Sequence, residues 1–181
     1  MLAALAGMAC SLAACSDDSN AEDEAGEASD GSETEDAGDE GVDAEAVVSE
    51  ALGYATFVQV NASSEASQHG LADTVNIWVP QAHEAAFRAI DPADAETPVE
   101  PFPAGTLIVK EHLDAEAAPV GMTIMFKGPE GYDPEHGDWW WGNANIDGTI
   151  ADQGAVDYCI ACHTPRAHAD WLFGLAPEDQ S

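Results

Sequence analysis

Near its C-terminal end the chain carries Cys159-Ile160-Ala161-Cys162-His163, and this run constrains the molecule more than any other feature. On one helical turn, cysteines three residues apart reach the two vinyl groups on one porphyrin edge, and the adjoining histidine falls under the iron. The run is therefore the attachment signature of a c-type haem, with Cys159 and Cys162 bonded to the porphyrin and His163 as axial ligand. A redox dithiol has no use for a histidine at this spacing. A zinc site needs a second ligand pair, which the sequence lacks. Position adds a second constraint, because only 18 residues follow His163 and none is methionine. That excludes an electron-transfer cytochrome with its motif near the start and a methionine ligand well downstream. A sixth ligand has to come from upstream, where Met122 and Met125 are the candidates on one strand, although methionine more often fills gaps in a core. The alternative is five-coordinate iron, with one face open to a small molecule. His69, His83, His112, His136 and His168 read as surface or structural residues.

The rest of the chain is uneven in composition. Of its 181 residues, 35 are acidic and four basic, and none of the four (Arg88, Lys110, Lys127, Arg166) precedes position 88. A formal net charge of -31 excludes nucleic acid and anionic membrane surfaces as partners and favours a basic protein partner at low ionic strength. Residues 1–14 are small and apolar, too short a run to span a bilayer, and read as the core of an export signal. No positive segment precedes them, so the expected start lies upstream of Met1. Leu12-Ala13-Ala14-Cys15 resembles the lipobox of bacterial lipoproteins, in which the cysteine becomes the lipidated N-terminus; a plain secretory signal is the simpler alternative. Cys10 then leaves with the signal, Cys15 takes lipid, and the last two cysteines take haem, so none remains for a disulfide. This places the domain on the periplasmic face of a bacterial membrane, held by lipid alone. Residues 16–46 contain 14 acids and no base, cannot bury enough apolar surface to order themselves, and read as a disordered tether with a root-mean-square span of about 30 Å.

The folded domain is expected over residues 47–181, with an α+β fold: a mainly antiparallel sheet, flanking helices, and a C-terminal helix carrying the haem motif. Helical spacing covers Asp43 to Leu52, with Gly53 as the expected stop, and Gln81 to Ile90, stopped by Asp91-Pro92. Strands are predicted at Thr74–Val79, Thr106–Leu113, Met122–Lys127 and Asp138–Gly142. A short helix is expected over residues 157–163, and a last one over Arg166 to Phe173.

Several segments, in this order, resemble the cytochrome P460 family. They are His69-Gly70, the stretch Phe102-Pro103-Ala104-Gly105-Thr106-Leu107-Ile108-Val109-Lys110-Glu111, and Met125-Phe126-Lys127. Gly131-Tyr132-Asp133-Pro134, Gly137-Asp138-Trp139-Trp140-Trp141, the haem motif and Asp170-Trp171-Leu172-Phe173 complete the set. The resemblance implies a β-rich, usually homodimeric domain with one c-type haem. It also implies a bond from a lysine nitrogen to a porphyrin meso carbon, and the matching residue is Lys110. Related proteins without that lysine, the cytochrome c′-β group, bind nitric oxide and carbon monoxide. On its own terms Lys110 is an uncommon residue for a half-buried strand face; desolvation lowers its pKa, and a neutral amine is a nucleophile. An edge-strand charge or a partner for Glu111 is the plainer reading. Lys127 reads as a surface strand residue.

One departure stands out. Members that oxidise hydroxylamine hold a carboxylate over the open iron face, and the corresponding place here, four residues before Lys127, is Thr123. A hydroxyl relays a proton but is no base near neutral pH. Met122 and Met125 beside it make the pocket more apolar, and Glu111 belongs to the strand face opposite Lys110. Three functions follow: oxidation of hydroxylamine or a similar small nitrogen species with electrons passed to a basic soluble acceptor, capture of a diatomic gas without turnover, or periplasmic electron transfer.

Overall fold

The computed structural model describes residues 41–68 and 70–181. The export signal, Cys15, most of the acidic tether and His69 lie outside the described residues. Among the described residues no helix is long and apolar enough to cross a membrane.

The body is one antiparallel sheet of seven strands: β1 Val58–Gln59, β2 Glu65–Ala66, β3 Thr74–Val79, β4 Leu107–Leu113, β5 Pro119–Lys127, β6 Trp139–Asn145 and β7 Ile150–Gly154. β1 and β2 both pair with β3, and the sheet then runs in sequence order to β7. The four central strands, β3 to β6, form where strands are predicted, although β5 begins three residues earlier and β6 runs three residues further. β1 and β2 are two residues each, too short to show a period, and β7 carries Ala-Asp-Gln, which has no apolar face.

Both faces of the sheet are covered, which explains why β4 is buried almost throughout and not at every second residue. One face packs under helix α1, Ala44–Ala51, whose buried Val47, Val48 and Ala51 meet Leu107, Val109, Met122, Ile124 and Trp140. Asp43 caps that helix by accepting from the Ala46 amide at 3.0 Å. Since Val42 is also buried, the packed body starts ahead of Val47. Gly53 is no left-handed stop; its φ of -83° leads into a single turn at Tyr54–Thr56.

The other face holds Ile77, Ile108, Met125, Trp139 and Trp141, covered by α2 (Glu84–Arg88), α3 (Asp157–His163) and the closing segment. The three consecutive tryptophans thus divide by strand alternation, Trp140 to the first face and its neighbours to the second. Gly142 makes room for this, because a Cβ there would stand 2.5 Å from the Trp140 ring. Gly142→Ala is therefore expected to lower stability by about 1–3 kcal/mol through overpacking, read as a lower urea midpoint at unchanged slope.

Candidate haem site

Helix α3 presents the motif as predicted, with Cys159 and His163 buried and Cys162 exposed. The chain does not continue as a helix from Arg166 to Phe173. A 3-10 segment at Thr164–Ala169 gives way to Asp170 and Trp171, both left-handed, with φ of 49° and 66°. Bulky residues in that region cost about 1–3 kcal/mol each, and such strain collects at functional sites. The structure shows what it achieves. The Trp171 carbonyl turns back to His163 and accepts from Nδ1 at 2.6 Å. With the proton on Nδ1, the ring's lone pair belongs to Nε2, the arrangement a metal-bound histidine needs. Trp141 and Phe173 hold the ring edge-on, at 4.8 and 4.9 Å between centroids.

Three side chains brace this turn. Asp170 accepts from Lys127 Nζ at 2.6 Å and from the Phe102 amide at 2.8 Å. Lys127 is buried, 4.6 Å from the centre of the Trp139 ring, so the surface position expected for it is wrong. Its place on an antiparallel strand end suggested solvent; the carboxylate that draws it inward lies 43 residues away. Buried Arg166 donates to the carbonyls of Leu172, Asp91 and Asp94, tying the segment after the motif to the loop after α2.

Beside His163 opens a cleft that is partly open to solvent. Ile77, Phe87, Ile108, Met125, Trp141 and Leu172 make it apolar. Lys110 and Thr123 also line it, side by side in the β4–β5 register, together with Cys159 and His163. The structure therefore brings the expected site residues together on one cavity. Burial lowers the Lys110 pKa, with the two motif cysteines and Glu65 acting the other way. Burial likewise pushes the Cys159 thiol up to about 11. A raised pKa marks Cys159 as a poor attacking thiol.

One expectation about the pocket changes and another holds. Met122 is fully buried on the far side of the sheet, under α1, and cannot serve the cleft; only Met125 faces it. Glu111 is also on that far side, where Tyr54 Oη, Asn76 Nδ2 and Trp78 Nε1 donate to it at 2.5, 2.9 and 3.0 Å. It holds α1's side of the sheet together and is no base for the cleft. Conversely, His112, read as surface or structural, is 2% exposed, and its Nε2 lies 3.3 Å from Thr123 Oγ1.

The donor set fits a c-type haem. The two thiols are not in a disulfide, and among the described residues no group of three or more His, Cys, Asp or Glu could hold a metal ion by itself. Trp141 Nε1 is a buried donor in the cleft wall with no acceptor among the described residues, and a haem propionate would satisfy it. Comparison with known families decides the question: the cytochrome P460 family matches residues 52–174, more than half of the chain.

The chain belongs to the cytochrome P460 family.

It is accordingly a c-type haem protein of the P460 and cytochrome c′-β kind. No curated protein and no solved structure gave a significant match. The cytochrome P460 match spans every element that lines the cleft, from β3 to the Phe173-Gly174 turn.

Proposed function

We propose that Cys159 and Cys162 carry the haem as thioethers, that His163 ligates its iron, and that Lys110 is bonded to a porphyrin meso carbon. On this reading the protein oxidises hydroxylamine or a similar small nitrogen species and passes the electrons to a basic soluble acceptor. The single observation behind it is that Lys110 shares one cleft with Cys159 and His163. Once bound, the haem supplies an iron face for the substrate nitrogen and a store for the electrons that leave it.

The chain's own residues do the remaining work. Desolvation makes the uncharged Lys110 amine more available, as nucleophilic attack on a porphyrin edge requires. Ile77, Phe87, Met125 and Leu172 exclude bulk water and larger polar molecules from the cleft. The Thr123 hydroxyl is the nearest polar group to Lys110 across the β4–β5 pair. Exposed Cys162 brings the attachment edge to the surface of a strongly acidic protein, which suits a basic acceptor. Attachment of c-type haem outside the cytoplasm agrees with export and with a lipid anchor at Cys15. A homodimer is part of the same proposal.

A second reading has one observation in its favour. Thr123 stands where hydroxylamine-oxidising relatives are expected to hold a carboxylate, and the cleft is otherwise apolar, which suits capture of nitric oxide without turnover. An anaerobic assay with hydroxylamine and an artificial electron acceptor separates the two. Sustained reduction of the acceptor by the haem-loaded protein is the expected result. Tight nitric oxide binding with no acceptor reduction would hand the function to the second reading.

A further inference from the structure

We propose that His112 is the proton acceptor of the cleft, reached from the substrate through the Thr123 hydroxyl. This rests on the hydroxylamine reading above and supplies what that reading lacks, a base. Thr123 lines the cleft beside Lys110, whereas His112 stands behind it, buried near the end of β4 where the register shifts. The strand register sets His112 opposite Gly121, where a Cβ would come within 2.9 Å of the Ala144 carbonyl oxygen. The imidazole leans instead to the next residue on its own face, and Nε2 meets Thr123 Oγ1 at 3.3 Å. That distance is at the loose end for a hydrogen bond, as relay contacts often are before substrate is bound.

The chemistry of the two groups is complementary. A threonine hydroxyl takes up a proton only if it gives one away, and imidazole is the side chain suited to receive it near neutral pH. In the step proposed, a proton leaves the N–H or O–H of the substrate for Thr123 Oγ1 while the hydroxyl's own proton passes to His112 Nε2. Threonine ends as it began and His112 ends as imidazolium; no electrons move in this step. The relay uses the tautomer with the proton on Nδ1.

The charged groups on this sheet face are few. Lys110 lies two residues along β4, Glu65 stands across Val75 on β2, and Asp152 stands across Asn143 from Thr123. Glu65 has one buried carboxylate oxygen without a hydrogen bond; burial and then Asp179 raise its pKa, and Lys110 opposes them. None of these carboxylates touches Thr123, so His112 is its one titratable partner among the contacts described.

Cyanide association with the ferric haem-loaded protein tests the relay without turnover, because hydrogen cyanide binds as the anion and must shed its proton on arrival. Stopped-flow rates in the wild type are expected to follow a single ionisation, rising with pH as the acceptor loses its proton. Thr123→Val and His112→Gln should each slow association about 100-fold near neutral pH and flatten the profile, and Thr123→Ser should restore both. Thr123→Val keeps the side-chain shape, so it remains decisive if the buried His112→Gln variant fails to fold. An unchanged rate and profile in Thr123→Val overturns the relay. The hydroxylamine assay separates this from the parent reading. An intact cyanide profile without acceptor reduction removes the enzyme and keeps the relay; acceptor reduction with a cyanide profile indifferent to Thr123 removes the relay alone.

Discussion

Lys110→Ala is expected to move the ferrous Soret band of the haem-loaded protein back to the position of an ordinary c-type haem. Hydroxylamine oxidation should fall by about 100-fold or more, the scale on which a group at the reacting centre acts. Lys110→Arg is the sharper control. It keeps length and charge, but a guanidinium stays protonated and cannot become the neutral nucleophile that bonding to carbon requires. Both variants should therefore behave alike, although only one removes the positive charge. The experiment stays interpretable because Lys110 makes no salt bridge among the described residues; Glu65 is the one carboxylate that loses a nearby charge, and it does so only in the alanine variant. A spectrum that is the same in wild type and both variants would leave an ordinary c-type haem beside an unmodified lysine.

The second large effect is on stability. Asp170→Ala should lower the unfolding free energy by about 3–5 kcal/mol, because it leaves the buried Lys127 ammonium without its counter-charge. It also removes the acceptor for the Phe102 amide. Lys127→Met should cost a comparable amount by leaving Asp170 as the unpaired charge. The double variant Lys127→Met with Asp170→Asn should recover part of the loss, since removing both charges is cheaper than removing one. Urea unfolding followed by tryptophan fluorescence reads this directly. Haem incorporation should fall with it, because Asp170 leads into the Trp171 carbonyl that orients His163. A loss below about 1 kcal/mol would mean that the pair is solvated and does not brace the turn.

How much of this is legible in the sequence depends on how local each signal is. The haem motif is five consecutive residues, and its helix forms where it was expected. The strands over Thr74–Val79 and around Lys110 show side-chain alternation, and the structure places them in the sheet centre. Alternation also puts Glu111 opposite Lys110, as found. It equally puts Met122 on the face opposite Thr123, which leaves Met125 as the sixth-ligand candidate on the cleft side. The closing turn is different. Arg166 to Phe173 has helical spacing, and what breaks the helix is a tertiary demand: the Trp171 carbonyl has to reach His163. Lys127 is misplaced, and the partner of His112 is hidden, for a similar reason. Each is polar on an apolar strand, and its partner, Asp170 or Thr123, lies on another segment whose position only the fold reveals.

Proteolysis of the denatured haem-loaded protein, followed by mass spectrometry, tests the central claim most directly. One haem-bearing species is predicted, in which the Cys159–Cys162 peptide and the Lys110 peptide remain joined through the porphyrin, and cleavage after Lys110 is blocked. Lys110→Ala should release the first peptide with haem alone. Haem found only on the Cys159–Cys162 peptide of the wild type, with normal cleavage after Lys110, would contradict the account.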